Sequence, residues 1–134
     1  MAIDMYAEEL ISSFEHPEHK REMANATKSV HDDNISCGDN ITVYLRIEGN
    51  EIKDASFEGS GCVISMGSAD MLIDKLKGKK LSEIESMKRQ DLLKIIGIDP
   101  GPVRMHCATL SLRAVKKAVF EYENKAVDRD TKEL

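Results

Sequence analysis

The chain has 134 residues, 24 acidic and 19 basic, for a formal net charge of −5. This length suits one domain with a single core, and 41% hydrophobic with 32% charged residues is a globular composition, not a disordered one. No apolar run approaches the roughly 18 residues a membrane helix needs, and an acidic chain without Trp is poorly equipped to neutralise phosphates or stack bases.

The N-terminus carries acids and no basic segment ahead of an apolar stretch, so no export signal is expected. A cytoplasmic setting follows, in which Cys37, Cys62 and Cys107 are reduced thiols. Residues 1–134 are read as one domain, with 1–25 a mobile helical segment and 126–134 a frayed tail.

In chain order, Met5, Tyr6, Leu10, Ile11 and Phe14 predict an amphipathic helix over 4–15, broken near Pro17. Residues 26–32 are a candidate edge strand. The alternating run 41–47 and the run 52–58 predict two further strands joined through Glu48-Gly49-Asn50-Glu51. A two-residue turn at Gly49-Asn50 sets Val43 against Ser56 and Leu45 against Asp54, which mismatches the apolar faces. Matching Val43 to Phe57 and Leu45 to Ala55 needs a three-residue loop or a bulge. Under either register Cys37 and Cys62 meet at the open end of the hairpin.

After Gly59-Ser60-Gly61-Cys62 the periodicity turns helical, with Ala69, Leu72, Ile73 and Leu76 on one face and Gly78 as the stop. One or two short helices are expected over 81–96, ended by Gly97, then a rigid loop over 99–102. A longer helix from about Val103 carries a stripe at Ala108, Leu112, Val115, Val119 and Tyr122. Strands first and helices afterwards predict an α+β fold, a small three-stranded antiparallel sheet with helices on one face.

A single free cysteine is often only a small buried hydrophobe. Here each of the three stands beside a glycine or near a helix start, where free amides and the helix dipole lower a thiol pKa. Cys62 precedes one helix and Cys107 lies in the first turns of the last. Cys37 and Asp39, two apart in an extended segment, share a face, and His106 adds an imidazole beside Cys107. Three thiolates, a carboxylate and an imidazole make a first shell for a metal or a cluster. Structural zinc is disfavoured, because paired Cys-x2-Cys knuckles are absent and 24 and 44 residues separate the thiols.

From Ser36 to Tyr122 the chain resembles the IscU/NifU-type (NifU N-terminal-like) iron–sulfur cluster scaffold proteins. The resemblance rests on Ser36-Cys37-Gly38-Asp39, Gly59-Ser60-Gly61-Cys62, Lys77-Gly78-Lys79 and Pro102-Val103-Arg104-Met105-His106-Cys107. It implies a SufE/NifU-like fold and a [2Fe–2S] cluster on Cys37, Cys62 and Cys107 with Asp39 or His106 as fourth ligand. It also implies a cysteine desulfurase (IscS/NifS-like) as sulfur donor, through a persulfide on Cys107 or Cys62, and apo iron–sulfur proteins as acceptors. The cluster sits within one chain or between the chains of a homodimer.

The run Cys62-Val63-Ile64-Ser65-Met66-Gly67-Ser68-Ala69 is closer to the SufU-like branch, associated with zinc and sulfur transfer. That branch usually has an insertion before the last cysteine and Lys in place of His106, which favours the scaffold reading here. The family's Leu-Pro-Pro-Val-Lys chaperone motif survives only in part, as Pro100-Gly101-Pro102-Val103-Arg104, which leaves dependence on an Hsp70-type chaperone doubtful. The rivals to a non-enzymatic scaffold are a Zn²⁺-bound sulfurtransferase and a structural zinc module.

Overall fold

The alternating run around residues 41–47 becomes the central strand of the sheet. The computed structural model describes residues 2–134, with side chains from Glu8 onward; Met5 and Tyr6 of the predicted stripe lie outside the described side chains. The sheet is antiparallel, in the order β1 (Lys28–Asn34), β2 (Asp39–Glu48), β3 (Glu51–Ser60). Every second residue of β2, from Asp39 to Ile47, is buried. That strict alternation is what a sheet with one covered face requires.

The β2–β3 pairing uses both registers. Val43 faces Phe57 and Leu45 faces Ala55, but beyond Arg46 the register slips, so that Ile47 faces Ile52 and Glu48 faces Glu51. A bulge leaving Lys53 unpaired thus lets a two-residue turn coexist with matched apolar faces. Gly49 takes φ +64° at the first turn position, a conformation glycine adopts without strain.

The helices are α1 (Ala2–Glu15), α2 (Val63–Asp74), α3 (Leu81–Glu85), α4 (Arg89–Ile96), α5 (Gly101–Tyr122) and α6 (Arg129–Lys132). The pair α2 and α5 covers the sheet, giving the α+β arrangement. Among the described residues no helix is long and apolar enough to cross a membrane.

Four local expectations are corrected. Residues 16–26 are pinned rather than mobile: His19 N–H donates to Asp70, Phe57 N–H donates to the His19 carbonyl, and Met23 is buried. α1 itself packs closely on α2, since a Cβ on Gly67 would stand 2.6 Å from the Leu10 carbonyl oxygen. The tail does not fray from Ala126: Asp128 caps α6 by accepting from Thr131 N–H, and Thr131 and Leu134 are buried. The loop over 99–102 is shorter than expected, because Gly101 and Pro102 already belong to α5, where a first-turn proline forfeits no helical hydrogen bond. Finally, α2 ends at Asp74 rather than at Gly78, and Gly78 N–H instead donates to the Ile52 carbonyl.

α5 is also more central than one stripe implied. From Cys107 to Phe120 every residue is buried except Arg113 and Lys117, which are half-buried. It packs against β1, β2, α2, α3 and α6.

Candidate metal centre

The loop over 35–38 turns on the Asn34 carbonyl, which accepts from Cys37 N–H at 3.2 Å and Gly38 N–H at 2.9 Å. Gly38 adopts φ +74°, which a Cβ would disfavour. The loop leaves Cys37 exposed and starts β2 with Asp39 pointing inward, 3% exposed. Asp39 Oδ2 has no hydrogen-bond partner among the described residues. A buried carboxylate oxygen without a donor is costly, and a cation is the natural way to satisfy it.

α5 brings Cys107 to the same point. Its Sγ lies 3.2 Å from Cys37 Sγ, and Asn34 Nδ2 donates to it at 3.9 Å. One ligand atom each from Cys37, Asp39 and Cys107 lie within 4.8 Å of one another. Burial, then the Cys37 thiol and the Asp39 carboxylate, push the Cys107 thiol pKa upward. This corrects the expectation of a lowered pKa. Cys107 is the seventh residue of α5, beyond the first-turn amides that stabilise a thiolate.

Cys62 does sit where a helix end acts on it. It is the N-cap of α2, and its Sγ accepts from Ser65 N–H at 3.4 Å. Burial raises its pKa, but the Ser65 amide and hydroxyl outweigh that, and the net shift is downward. Gly61 is required by crowding: a Cβ there would stand 2.4 Å from Ser65 Oγ and 2.7 Å from Asp39 Oδ1. Cys62 therefore flanks the group formed by Cys37, Asp39 and Cys107, and the charges of Asp39 and Cys62 act on one another.

His106 is not brought in. It is exposed and shares a shallow cleft with Arg89, Asp99 and Met105. Successive helical residues point about 100° apart, so burying Cys107 turns its neighbour outward. Of the five expected residues, three converge, Cys62 stands beside them, and His106 faces elsewhere. Two contributors were not predicted. Asn34 anchors the loop and donates to a thiol; Ser65 supports the Cys62 cap. The spacing of an N-cap and its third helical residue was a usable signal for Ser65, whereas nothing local marked Asn34. The converging donors, two thiol sulfurs and one carboxylate with the Cys62 sulfur beside them, suit a thiophilic metal or an iron–sulfur cluster.

A family model described as the NifU-like N-terminal domain matches residues 5–129. The iron–sulfur cluster assembly scaffold protein IscU of Thermotoga maritima is 31% identical over 131 residues, covering 86% of this chain and 92% of the relative. The zinc-dependent sulfurtransferase SufU of Bacillus subtilis is 31% identical over 136 residues, covering 89% and 92%. The crystal structure of the N-terminal part of a NifU-like protein from Brucella abortus superposes with a TM-score of 0.75 at 19% identity, over 93% of this chain and 99% of that one, a likeness of fold.

Proposed function

We infer function from one premise: the chain belongs to the NifU-like N-terminal domain family. We propose that it is a scaffold on which a [2Fe–2S] cluster is assembled and from which it is passed to apo-proteins, the cluster being cargo and not a resident cofactor. The observation carrying this reading is the convergence of Cys37, Asp39 and Cys107 at the end of the sheet where Cys62 caps α2. Soft thiolates retain iron–sulfide cores, while a carboxylate is a harder, weaker partner for that iron. Asp39 is accordingly the exchangeable corner, and His106, turned outward, takes no part in first capture.

Sulfur arrives from a cysteine desulfurase in a cytoplasmic, reducing setting. The Cys62 thiolate attacks the sulfane sulfur of the donor's persulfide; a new S–S bond forms on Cys62 and the donor cysteine leaves as thiolate. Ile35 and Val103 are strongly exposed, at 90% and 85%. They stand two residues before Cys37 and one helical turn before Cys107, an apolar surface suited to a partner that must reach the thiols.

A second reading, a zinc-bound sulfurtransferase, is favoured by the count of donors: Cys37, Asp39, Cys62 and Cys107 also complete a tetrahedral zinc set. Anaerobic reconstitution with iron, sulfide and a desulfurase separates the two. The scaffold reading expects visible charge-transfer absorption, about two iron and two sulfide per site for this cluster type, and transfer to apo-ferredoxin. Tight zinc that iron cannot displace, together with stimulated desulfurase turnover, overturns it.

A further inference from the structure

Arg113 is bonded to more of the chain than an ion pair requires. Its Nε donates to Asp32 Oδ2 at 2.7 Å and its Nη2 to Asp32 Oδ1 at 3.2 Å, a bidentate grip on the carboxylate. Nη2 also donates to the Asp33 carbonyl at 2.7 Å, and Nη1 to the Leu134 carbonyl at 3.2 Å. A guanidinium can hold all three because its donors are fixed in one planar fork. Lys117, one turn further along α5, reaches Asp32 Oδ2 at 3.2 Å as a point charge.

What the fork holds is the root of the loop that carries Cys37. Asp33 is followed by Asn34, whose carbonyl accepts from Cys37 N–H and Gly38 N–H and whose side-chain amide donates to Cys107 Sγ. Arg113 and Cys107 are six residues apart on one helix, about 9 Å along its axis. α5 thus grips the exit of β1 twice, through Asn34 at Cys107 and through Asp33 at Arg113. Attachment of β1 as such does not need the second grip. The ladder to β2 runs the whole length of β1, and Lys28 pairs with Glu121 of α5 at 3.0 Å at the strand's other end.

We propose that Arg113 is a positioning residue for the thiol centre, fixing the start of the loop over 35–38 so that Cys37 meets Cys107. The role rests on the proposed reading that these two thiols hold the cargo together. Arg113 acts through the Asp33 carbonyl and Asn34, not on a sulfur. Without its fork the peptide after Asp33 is released to rotate. Cys37, exposed on its loop, is then the ligand that drifts, while Cys107 stays buried in α5.

Co²⁺ is the probe, a first-row ion whose thiolate complexes absorb in the near ultraviolet, more strongly with each thiolate bound. Anaerobic Co²⁺ titration of the full chain, in a double-mutant cycle between Arg113→Lys and Cys37→Ser, separates positioning from a general loosening of the fold. Arg113→Lys keeps a charge beside Asp32 and fills only part of the fork. It is expected to weaken Co²⁺ binding about tenfold and to lower the absorption toward that of Cys37→Ser. When Cys37 is already serine, the same change should cost less than about twofold. Should Arg113→Lys not fold, as read by far-ultraviolet circular dichroism, Asp32→Asn loosens the same fork and takes its place in the cycle with the same expectation. Equal losses in both backgrounds, or full wild-type affinity and absorption in the single variant, overturn the positioning role alone. Absence of thiolate bands in the wild type overturns the thiol centre, and this role with it.

Discussion

Replacing Asp39 with alanine is expected to stabilise the metal-free protein while impairing release of its cargo. Asp39 is 3% exposed, and its Oδ2 finds no donor among the described residues. A buried oxygen in that state costs about 1–3 kcal/mol, more when charged. Asp and Ala are both poor strand formers, so the exchange at the start of β2 is near neutral in propensity. The lost carboxyl group leaves a void that returns about 1 kcal/mol of the gain. The net expectation is a stabilisation of about 1–2 kcal/mol. At this chain length that is a Tm increase of about 3–10 °C, read by differential scanning calorimetry on chelator-treated protein. Asp39→Asn, which removes the charge and keeps the shape, should move Tm in the same direction. On reconstituted protein, transfer to apo-ferredoxin followed by circular dichroism should slow in Asp39→Ala, because the weakest corner of the ligand set is gone. A lower Tm in both variants refutes the view of Asp39 as a strained group awaiting a cation. Unchanged transfer refutes its role as the exchangeable ligand.

Three further outcomes are expected. Gly61→Ala places a methyl group 2.4 Å from Ser65 Oγ and 2.7 Å from Asp39 Oδ1, and the resulting overpacking should lower stability by about 1–3 kcal/mol in thermal unfolding and reduce metal stoichiometry. Iodoacetamide at neutral pH, mapped by peptide mass spectrometry, should modify Cys62 well before Cys107, since the Ser65 amide and hydroxyl overcome burial at the first and burial raises the pKa of the second. Burial opposes ionisation of Asp32, but hydrogen bonds from Arg113 and the charges of Arg113 and Lys117 prevail and lower its pKa. A lowered folded pKa means stability present above the unfolded value of about 4 and lost as pH falls through the folded one. Denaturant unfolding should therefore show wild type above Asp32→Asn at pH 7, with the gap closing below about pH 4; a gap that persists there sinks the assignment.

The hairpin shows how much of the fold could be read from residues alone. The conflict between the Gly49-Asn50 turn and the apolar faces was visible, because period-two alternation records which side each residue must occupy. Its resolution at Arg46/Ile47 was not, since a bulge depends on twist and pairing along the whole ladder. α5 was misjudged for a related reason. The stripe at Ala108, Leu112, Val115 and Val119 reports one packed face, but Ala114 and Ala118 are small enough for other elements to approach from further sides. Even Lys116 is buried there, its Nζ donating to the Met87 carbonyl at 2.6 Å. A cation on a helix reads as a solvated face until tertiary packing provides an acceptor. The tail escaped notice likewise, because Thr131 and Leu134 carry no local sign of the surface they cover.

At the site, the legible part was what backbone periodicity dictates. Cys37 and Asp39 share a side of an extended segment, and Cys62 precedes a helix. Proximity to a helix start was a weaker guide, since it was right for a capping thiol and wrong for one two turns in. The difference has a consequence for release. Cys107 is locked in the most buried helix, Cys62 is tied to Ser65 at a helix cap, and Cys37 rides on an exposed four-residue loop hinged at Gly38. Ligands of such unequal stiffness cannot let go together. If these residues hold the cargo as proposed, the loop bearing Cys37, adjoining the carboxylate of Asp39, is the part free to swing out while the two helices hold still, and the edge formed by Cys37 and Asp39 is the expected exit. Bridging that loop to β3 with a second covalent anchor should then slow transfer without lowering the amount of cluster bound.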